Sequence, residues 1–251
     1  MPALTRAAVV AALLFATTLM AQADAALVAV AANFAGAAEA ISTAFTGATG
    51  HSLQITTGAT GKLYAQIAAG APFAVMLSAD EQTPARLEVE NLAVAGTKFT
   101  YALGGLTLWS VDADRIKTNP KPALQAADTM FIAIANPELA PYGVAARETL
   151  QALGLWDVVQ AKIVMGENIG QTFAMVDSGA AQMGFVAASA VAVGPTRGAR
   201  WDVPQELFTP IRQDAILLKA GADNTAAVAF MDYLASDAAK AIVQSFGYGT
   251  E

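Results

Sequence analysis

The 251-residue sequence contains no cysteine and a single histidine, His51. Without cysteine the chain forms no disulfide, so its apolar core alone must hold the fold. A lone histidine also argues against a zinc or copper site, because such sites combine several nitrogen or sulfur ligands. Catalysis by a Ser-His-Asp or Cys-His group would have to use His51, and no G-x-S-x-G turn accompanies it. The common hydrolytic mechanisms therefore have few candidate residues.

Basic residues are also few. The 14 Lys and Arg residues are outnumbered by 21 Asp and Glu, which gives a formal net charge of -7. Nucleic acids are bound through clustered Lys and Arg, and no basic stripe is present, so nucleic acid is not an expected partner. The hydrophobic content of 55% is typical of a folded globular chain.

The first 25 residues differ from the rest. Arg6 precedes an apolar run over 7–20, and the small residues of "AQADA" then provide two A-x-A cleavage patterns. This arrangement predicts a secretory signal peptide, too short for a membrane span, with the mature chain beginning near Asp24 or Ala26. We therefore assign 1–25 to the signal peptide and expect an exported, soluble mature protein. An uncleaved anchor or a buried helix is the alternative.

Short apolar runs alternate with helical patterns in the remaining chain, which predicts an α/β fold with largely parallel sheets. Two longer strand-like stretches, 99–111 and 208–219, can each pass from one lobe to another. If both cross, the chain forms two lobes with two hinge crossings, a design that closes around a ligand. Lobe 1 is then 26–103 with 214–251, and lobe 2 is 104–213. A single continuous sheet is the alternative. The six short predicted strands are 27–32, 53–57, 75–78, 131–134, 162–165 and 184–187.

The stretch "TTGATGKLYAQI", 56–67, places a Gly-Lys pair between a predicted strand and a predicted helix. A phosphate-binding P-loop requires G-x-x-x-x-G-K followed by Ser or Thr. Thr56 stands at the first glycine and Leu63 follows Lys62, so the nucleotide interpretation fails. A Gly-rich turn at a helix N-terminus remains, and that geometry can hold an anion.

Four predicted strand-to-helix turns share this character: "AANF" at 31–34, "GATG" at 58–61, "PYG" at 141–143 and "ENIG" at 167–170. Helix N-termini present unpaired N–H groups and a partial positive charge, and ligands of open α/β sheets lie beyond the strand ends. Converging turns would therefore bind a compact oxyanion without Arg or Lys. Helix capping by Asn33 and Thr60, packing of the Tyr142 ring and solvation of Lys62 are the structural alternatives.

Several stretches spread over the chain carry a resemblance to one family. They are "VAVAANFAGAAEAI", "TGATGKLYAQIAAGAP" with "LSAD" after it, "YALGGLTLWS", "ANPELAPYGVAARETL", "GENIGQTFAMVDSGAAQMGFVA", "PIRQDAILL" and "AFMDYLASDAAKAIVQSFGY". Together they resemble the molybdate-binding proteins of bacterial ABC uptake systems. The resemblance implies a two-lobed periplasmic binding protein fold, located in the periplasm, that binds molybdate or tungstate and delivers it to a membrane permease. It implies neither catalysis nor a cofactor, and a shuttle of this kind is most simply a monomer.

Carried over by position, the resemblance implies which residues hold the oxyanion. Asn33 falls at the first turn, where family members place Ser or Asn and use both side chain and backbone N–H. Thr60 falls where the family commonly has Ser, so a hydroxyl is retained. Tyr142 lies in the P-x-G turn, where some members donate a tyrosine hydroxyl, and Ile169 falls at a backbone N–H donor. Ala32 is a weaker candidate, and no side chain is expected to ligate the metal directly.

Two positions depart from the family pattern. Ala187 stands in "GFVAASA" where some members have a ligand-contacting Tyr, and Tyr142 is expected to supply the hydroxyl from another loop instead. Ala74 stands at the usual Asp after "GAP-x". That position is outside the direct ligand shell, so the expected effect is on stability or closure.

Other functions stay open on the sequence alone. The ligand can be another tetrahedral oxyanion, such as sulfate, chromate or phosphate, and a protonated anion would need an acceptor such as Glu167. A different class is an exported hydrolase that uses carboxylates such as Asp80 or Asp177, although the sequence shows no pairing of the two. The third class of function is a structural envelope protein without a closing cleft.

Overall fold

The structure is a computed structural model that describes residues 24–193 and 197–251. Of the predicted signal peptide, only Asp24 and Ala25 lie within these residues. The strands are β1 Ala25–Ala31, β2 Ser52–Gly58, β3 Val75–Leu77, β4 Phe99–Gly104, β5 Leu106–Ser110, β6 Ile132–Ala135, β7 Ile163–Gly166, β8 Met183–Ala187, β9 Ala199–Asp202 and β10 Ile211–Leu217. The helices are α1 Ala35–Thr49, α2 Thr60–Ala68, α3 Gln82–Val89, α4 Lys121–Gln125, α5 Pro141–Ala152, α6 Trp156–Val159, α7 Ile169–Asp177, α8 Ala188–Ala192, α9 Thr225–Leu234 and α10 Asp237–Ser245.

The strands form two five-stranded sheets with the same internal plan. The first has the order β2-β1-β3-β10-β4 and the second the order β7-β6-β8-β5-β9. In each sheet one strand, β10 or β5, runs antiparallel to both of its neighbours while the other strands run parallel to one another. These two mixed sheets with flanking helices confirm the predicted two-lobed α/β fold. We call them the first and second lobe, and the predicted residue boundaries between lobes stay a prediction.

The two long strand-like stretches behave differently from each other. The stretch 99–111 divides at Gly105 into β4, which belongs to the first sheet, and β5, which belongs to the second. In the stretch 208–219, only β10 is a strand, and it pairs with β3 and β4 in the first sheet. Phe208, just before it, packs in the core of the second lobe. Both stretches therefore lead from one lobe to the other.

The core lies on both faces of each sheet. Central strands such as β1 and β6 are buried on both sides, which explains their near-continuous apolar sequences. In the first lobe, α1 buries Ile41 and Phe45 against β1, α9 and α10, and the Phe34 ring makes edge contacts with Tyr101 and Tyr248 at 4.7 and 5.2 Å. No helix within the described ranges is both long enough and apolar enough to cross a membrane.

All six short predicted strands are present, with ends within two residues of the predicted ones. The sequence-based analysis missed β9 and the helices α3, α4, α6 and α8. β9 is a four-residue edge strand in which Arg200 and Asp202 are exposed, so it lacks an apolar pattern. Helix α3 buries only Pro84 and Leu87, too few for a helical stripe to be visible.

Candidate anion-binding site

Four helical starts meet at one small cavity between the lobes. The first lobe contributes the ends of β1 and β2 and the loop after β3, and the second lobe contributes the starts of α5 and α7. The cavity volume is about 10 Å³, and none of the described residues that line it carries a charged side chain. All five predicted site residues lie on its wall, although their contact with a ligand stays a prediction. The lining residues are 31–33, 58–60, 79, 140–142, 168 and 169.

Thr60 is the first residue of α2 and is 2% exposed. Its Oγ1 accepts a hydrogen bond from the backbone N–H of Ala79 at 3.2 Å. The side chain therefore does not cap the helix, and this differs from the structural alternative. Ala59 occupies the N-cap position without a side-chain bond. Because Oγ1 acts as acceptor towards Ala79, its own hydrogen is free to be donated into the cavity.

Asn33 is held by two residues that the sequence-based analysis did not identify. Its Nδ2 donates to Gln213 Oε1 at 2.7 Å and to Tyr248 Oη at 3.3 Å. The Tyr248 hydroxyl in turn donates to the Asn33 carbonyl at 2.6 Å and accepts from Ser189 Oγ at 2.9 Å. Both amide hydrogens of Asn33 are therefore engaged within the protein, which leaves its backbone N–H as the donor for an anion. A contact of the Asn33 side chain with the ligand stays a prediction.

Tyr142 brings a hydroxyl from the second lobe. Pro141 occupies the first turn of α5, where a missing N–H costs nothing. The Tyr142 side chain is 1% exposed, and its Oη has no hydrogen-bond partner among the described residues. Burial raises the pKa of Tyr142 well above its usual value and outweighs the lowering effect of the nearby Gln213 and Asn33 side chains, so the group is a neutral hydroxyl at physiological pH. A buried, protonated and unpartnered hydroxyl is a donor ready for an oxyanion.

The start of α7 supplies backbone donors. Asn168 caps this helix, since its Oδ1 accepts the N–H of Gln171 at 2.9 Å and its carbonyl accepts the N–H of Thr172 at 3.0 Å. The hydrogen bonds described for this helix end leave the N–H groups of Ile169 and Gly170 unpaired. Ile169 lies on the cavity wall, where the positive end of the helix dipole favours negative charge.

The lobes touch each other around the cavity. The Gly61 N–H donates to the Leu139 carbonyl of the second lobe at 2.9 Å, and a Cβ on Gly61 would crowd that oxygen at 3.2 Å. Lys62 Nζ lies 2.6 Å from Glu167 Oε2, so Lys62 is paired across the cleft rather than only solvated. Glu167, the candidate acceptor for a protonated anion, does not line the cavity. These contacts describe a closed cleft.

A wider groove of about 420 Å³ opens beside the cavity and shares Thr60, Ala79, Ala140 and Pro141 with it. Asp80 lines this groove and accepts hydrogen bonds from the Thr83 N–H and Oγ1 at 2.8 and 3.1 Å. Burial raises the pKa of Asp80. Asp177 lies at the far end of α7, where it pairs with Arg197. The two carboxylates considered for a hydrolase therefore lie in different lobes and make separate contacts.

The two departures from the family pattern lie in different surroundings. Ala187 ends β8 and belongs to the same buried cluster as Tyr142. Ala74 is 5% exposed, does not line the cavity, and packs so closely on Gly221 that a Cβ there would lie 2.7 Å from the Ala74 Cβ. An effect of Ala74 on stability or closure stays a prediction.

The sequence and structure are similar to those of known binding proteins. The molybdate-binding protein ModA of Rhodobacter capsulatus is 44% identical over 240 residues, 96% of this chain and 94% of the relative. ModA of Azotobacter vinelandii is 43% identical over 233 residues, 92% of each chain. The solved structure of the periplasmic molybdate-binding protein of Azotobacter vinelandii matches with a TM-score of 0.86 at 37% identity, covering 90% of this chain and 99% of that one.

A family model matches nearly all of the described chain. It represents the bacterial extracellular solute-binding proteins and matches residues 26–249, a span that contains both sheets and every wall of the cavity. Together with relatives above 40% identity over almost the whole length, this match settles the family. The chain belongs to the bacterial extracellular solute-binding proteins.

Proposed function

We propose that this protein captures molybdate or tungstate in the periplasm by closing its lobes on the oxyanion, and delivers it to the permease of an ABC transporter. The observation that carries the proposal is the cavity between the lobes, where helix N-termini and hydroxyls converge without a charged side chain. The near full-length similarity to molybdate-binding proteins supports the choice of ligand.

The proposed donor set is divided between the lobes. The Thr60 hydroxyl and the backbone N–H groups of Asn33 and Ala32 act from the first lobe, and the Tyr142 hydroxyl and the Ile169 N–H act from the second. Because neither lobe can surround the anion alone, binding stabilises the closed form over the open one. This function requires no cofactor, no nucleic acid and no chemical step, and the chain acts as a monomer.

Selection against sulfate is proposed to depend on size. Sulfate and molybdate have the same charge and shape, but the smaller sulfate leaves some donors beyond hydrogen-bonding distance. Fixed backbone donors suit this discrimination, because they cannot follow a smaller ligand inward without moving a whole helix.

One observation favours a second candidate, a protonated oxyanion such as phosphate. Asn33 Oδ1 is buried without a hydrogen-bond partner, and Asn33 lies on the cavity wall. A protonated anion needs an acceptor of this kind for its hydrogen. A fully ionised anion has no hydrogen to donate, so the contact between its oxygen and Oδ1 would be unfavourable. The same titration therefore has to include phosphate.

The test is calorimetric titration of the chain beginning at Asp24, with molybdate, tungstate, sulfate and phosphate in a buffer free of all four. Asp24 is retained because its carbonyl accepts the Ser52 N–H at 3.0 Å and its N–H donates to His51 Nδ1 at 3.1 Å. One-to-one binding of molybdate and tungstate, with sulfate silent, is expected. Silence from molybdate and tungstate would refute the ligand assignment, and a response to phosphate alone would favour the second candidate.

Breaking the ion pair between Lys62 and Glu167 is expected to weaken this binding only slightly. The two side chains are 45% and 49% exposed, and an exposed pair contributes roughly 0.2–1 kcal/mol. The dissociation constants of Lys62→Met and Glu167→Gln should therefore rise by no more than about fivefold. Titration at low and high salt measures the effect, which should shrink in high salt because ions screen the pair.

The matched control reverses both charges. The double variant Lys62→Glu with Glu167→Lys restores an attractive pair and should bind nearly as tightly as the wild type. Equal losses in the single and double variants would show that the pair does not help to hold the lobes together.

A further inference from the structure

Three buried polar atoms without hydrogen-bond partners lie next to one another beside the small cavity between the lobes. They are Asn33 Oδ1, Tyr142 Oη and Gln213 Nε2. Asn33 and Gln213 are joined directly by their amides at 2.7 Å. A Cβ placed on Gly104 would collide with Tyr142 Oη and lie 2.8 Å from Gln213 Nε2, so these two atoms face the same point. Buried polar groups without partners are uncommon and costly, and a cluster of them indicates a functional arrangement.

The amide of Gln213 has a defined orientation. Gln213 is fully buried in β10, at a register shift between it and Asp214. Its Oε1 accepts from Asn33 Nδ2 at 2.7 Å and lies 3.3 Å from the Tyr101 hydroxyl, which makes a shorter hydrogen bond to the Ser78 carbonyl at 2.9 Å. Because Oε1 faces Asn33, Nε2 points to the other side, towards the space beside Gly104 that Tyr142 Oη also faces. The Asp214 carboxylate beside it is independently fixed by Lys98 Nζ at 2.8 Å and Thr100 Oγ1 at 2.7 Å, which anchors this part of the strand.

On the basis of the proposed function, we propose that Gln213 is a positioning residue of the oxyanion site. With the oxyanion bound in the closed cleft, Gln213 Nε2 donates to the oxygen of the Tyr142 hydroxyl. A hydroxyl that accepts one hydrogen bond directs its own hydrogen elsewhere, here towards an oxygen of the anion. Gln213 thus connects β10 of the first lobe to the donor that the second lobe brings in, without touching the ligand itself.

Gly104 is the second part of this arrangement. It is the last residue of β4, at the crossing between the lobes, and its lack of a side chain leaves the space into which Tyr142 Oη and Gln213 Nε2 both point. Alanine at this position would push the hydroxyl and the amide away from their shared point. It would not disturb the hydrogen bond that Gln213 Oε1 accepts from Asn33 on its other side.

The test is a double-mutant cycle with molybdate titration, using Gln213→Met, Tyr142→Phe and the double variant. Losing one neutral hydrogen bond should weaken binding by roughly 2- to 12-fold in Gln213→Met. In the Tyr142→Phe background the same substitution should change the dissociation constant by less than about twofold, because the two residues act through each other. Thermal unfolding of each variant checks that it is folded.

The Gly104→Ala variant tests the same pair if Gln213→Met is unfolded. It should weaken binding in the wild-type background, and less in the Tyr142→Phe background, where the collision with the hydroxyl is gone and only the close approaches to Gln213 Nε2 and Ile211 Cγ2 remain. Equal factors in both backgrounds, for either substitution, would mean a merely structural role and overturn this inference alone. A wild type that binds none of the four oxyanions would overturn the proposed function and this inference together.

Discussion

Tyr142→Phe is expected to weaken molybdate binding by roughly 10- to 150-fold while leaving the ligand-free protein as stable as before. A hydrogen bond to a charged group contributes roughly 1.5–3 kcal/mol, which sets the size of the loss. Stability should not fall, because the Tyr142 hydroxyl is buried without a partner in the structure. Removing an unsatisfied buried polar group is neutral or favourable. Calorimetric titration and urea unfolding of the ligand-free protein measure the two quantities.

The matched control for this substitution is Tyr64→Phe. Unlike Tyr142, Tyr64 makes a hydrogen bond through its hydroxyl, to Glu90 at 2.7 Å on the surface of the first lobe, and it does not line the cavity. Its loss should leave the dissociation constant for molybdate unchanged. If Tyr142→Phe bound molybdate as tightly as Tyr64→Phe, the hydroxyl would have no part in the site and the ring alone would explain the buried position.

Ile169→Pro is expected to weaken molybdate binding by a similar factor, about 10- to 150-fold. Proline lacks the backbone N–H, so the substitution deletes one donor of the α7 start. The helix itself should survive, because Ile169 is its first residue, the position where proline is favoured. Asn168 before it has φ -142° and ψ 173°, the extended conformation that a following proline requires. Titration with molybdate, with circular dichroism to check the helices, is the measurement.

Ile169→Val provides the control, because it shortens the side chain but keeps the N–H. Ile169 is 5% exposed, and an Ile to Val change in a core costs roughly 0.5–1.5 kcal/mol of stability. Its affinity for molybdate should nevertheless stay close to that of the wild type. If the valine and proline variants lost affinity equally, packing of the side chain and not the backbone donor would be the contribution of this position.

The sequence predicts the fold well wherever burial imposes a pattern. Strand β1 is covered on both faces, so its apolar run is visible without any structure. The edge strand β9 and the short helix α3 bury little, and nothing in their composition marks them. The length of the stretch 99–111 was enough to predict a crossing between the lobes. The sheet to which each half belongs could not be predicted, because it depends on pairing with strands that are distant in sequence.

The site was predictable at the level of its turns and less so at the level of its side chains. The sequence indicates which loops end in helix starts, and the structure places those loops around one cavity. The residues that accept hydrogen bonds from the Asn33 side chain are 180 and 215 residues away in sequence. No local pattern therefore indicates that both hydrogens of its Nδ2 are already used within the protein. A signal for Gln213 does exist, since "RQD" interrupts an otherwise apolar strand, and polar residues inside such a strand need buried partners.

The division of donors between the lobes has a consequence for how the cargo leaves. No charged side chain among the described residues lines the cavity, so nothing there has to be neutralised or exchanged before the anion departs. Separating α5 and α7 from Thr60 and Asn33 dismantles the donor set, and water then solvates each half. On the proposed function, a permease that separates the two lobes thereby releases the anion, and no further step is needed. Release then requires mechanical opening alone and should depend little on the pH outside the cell.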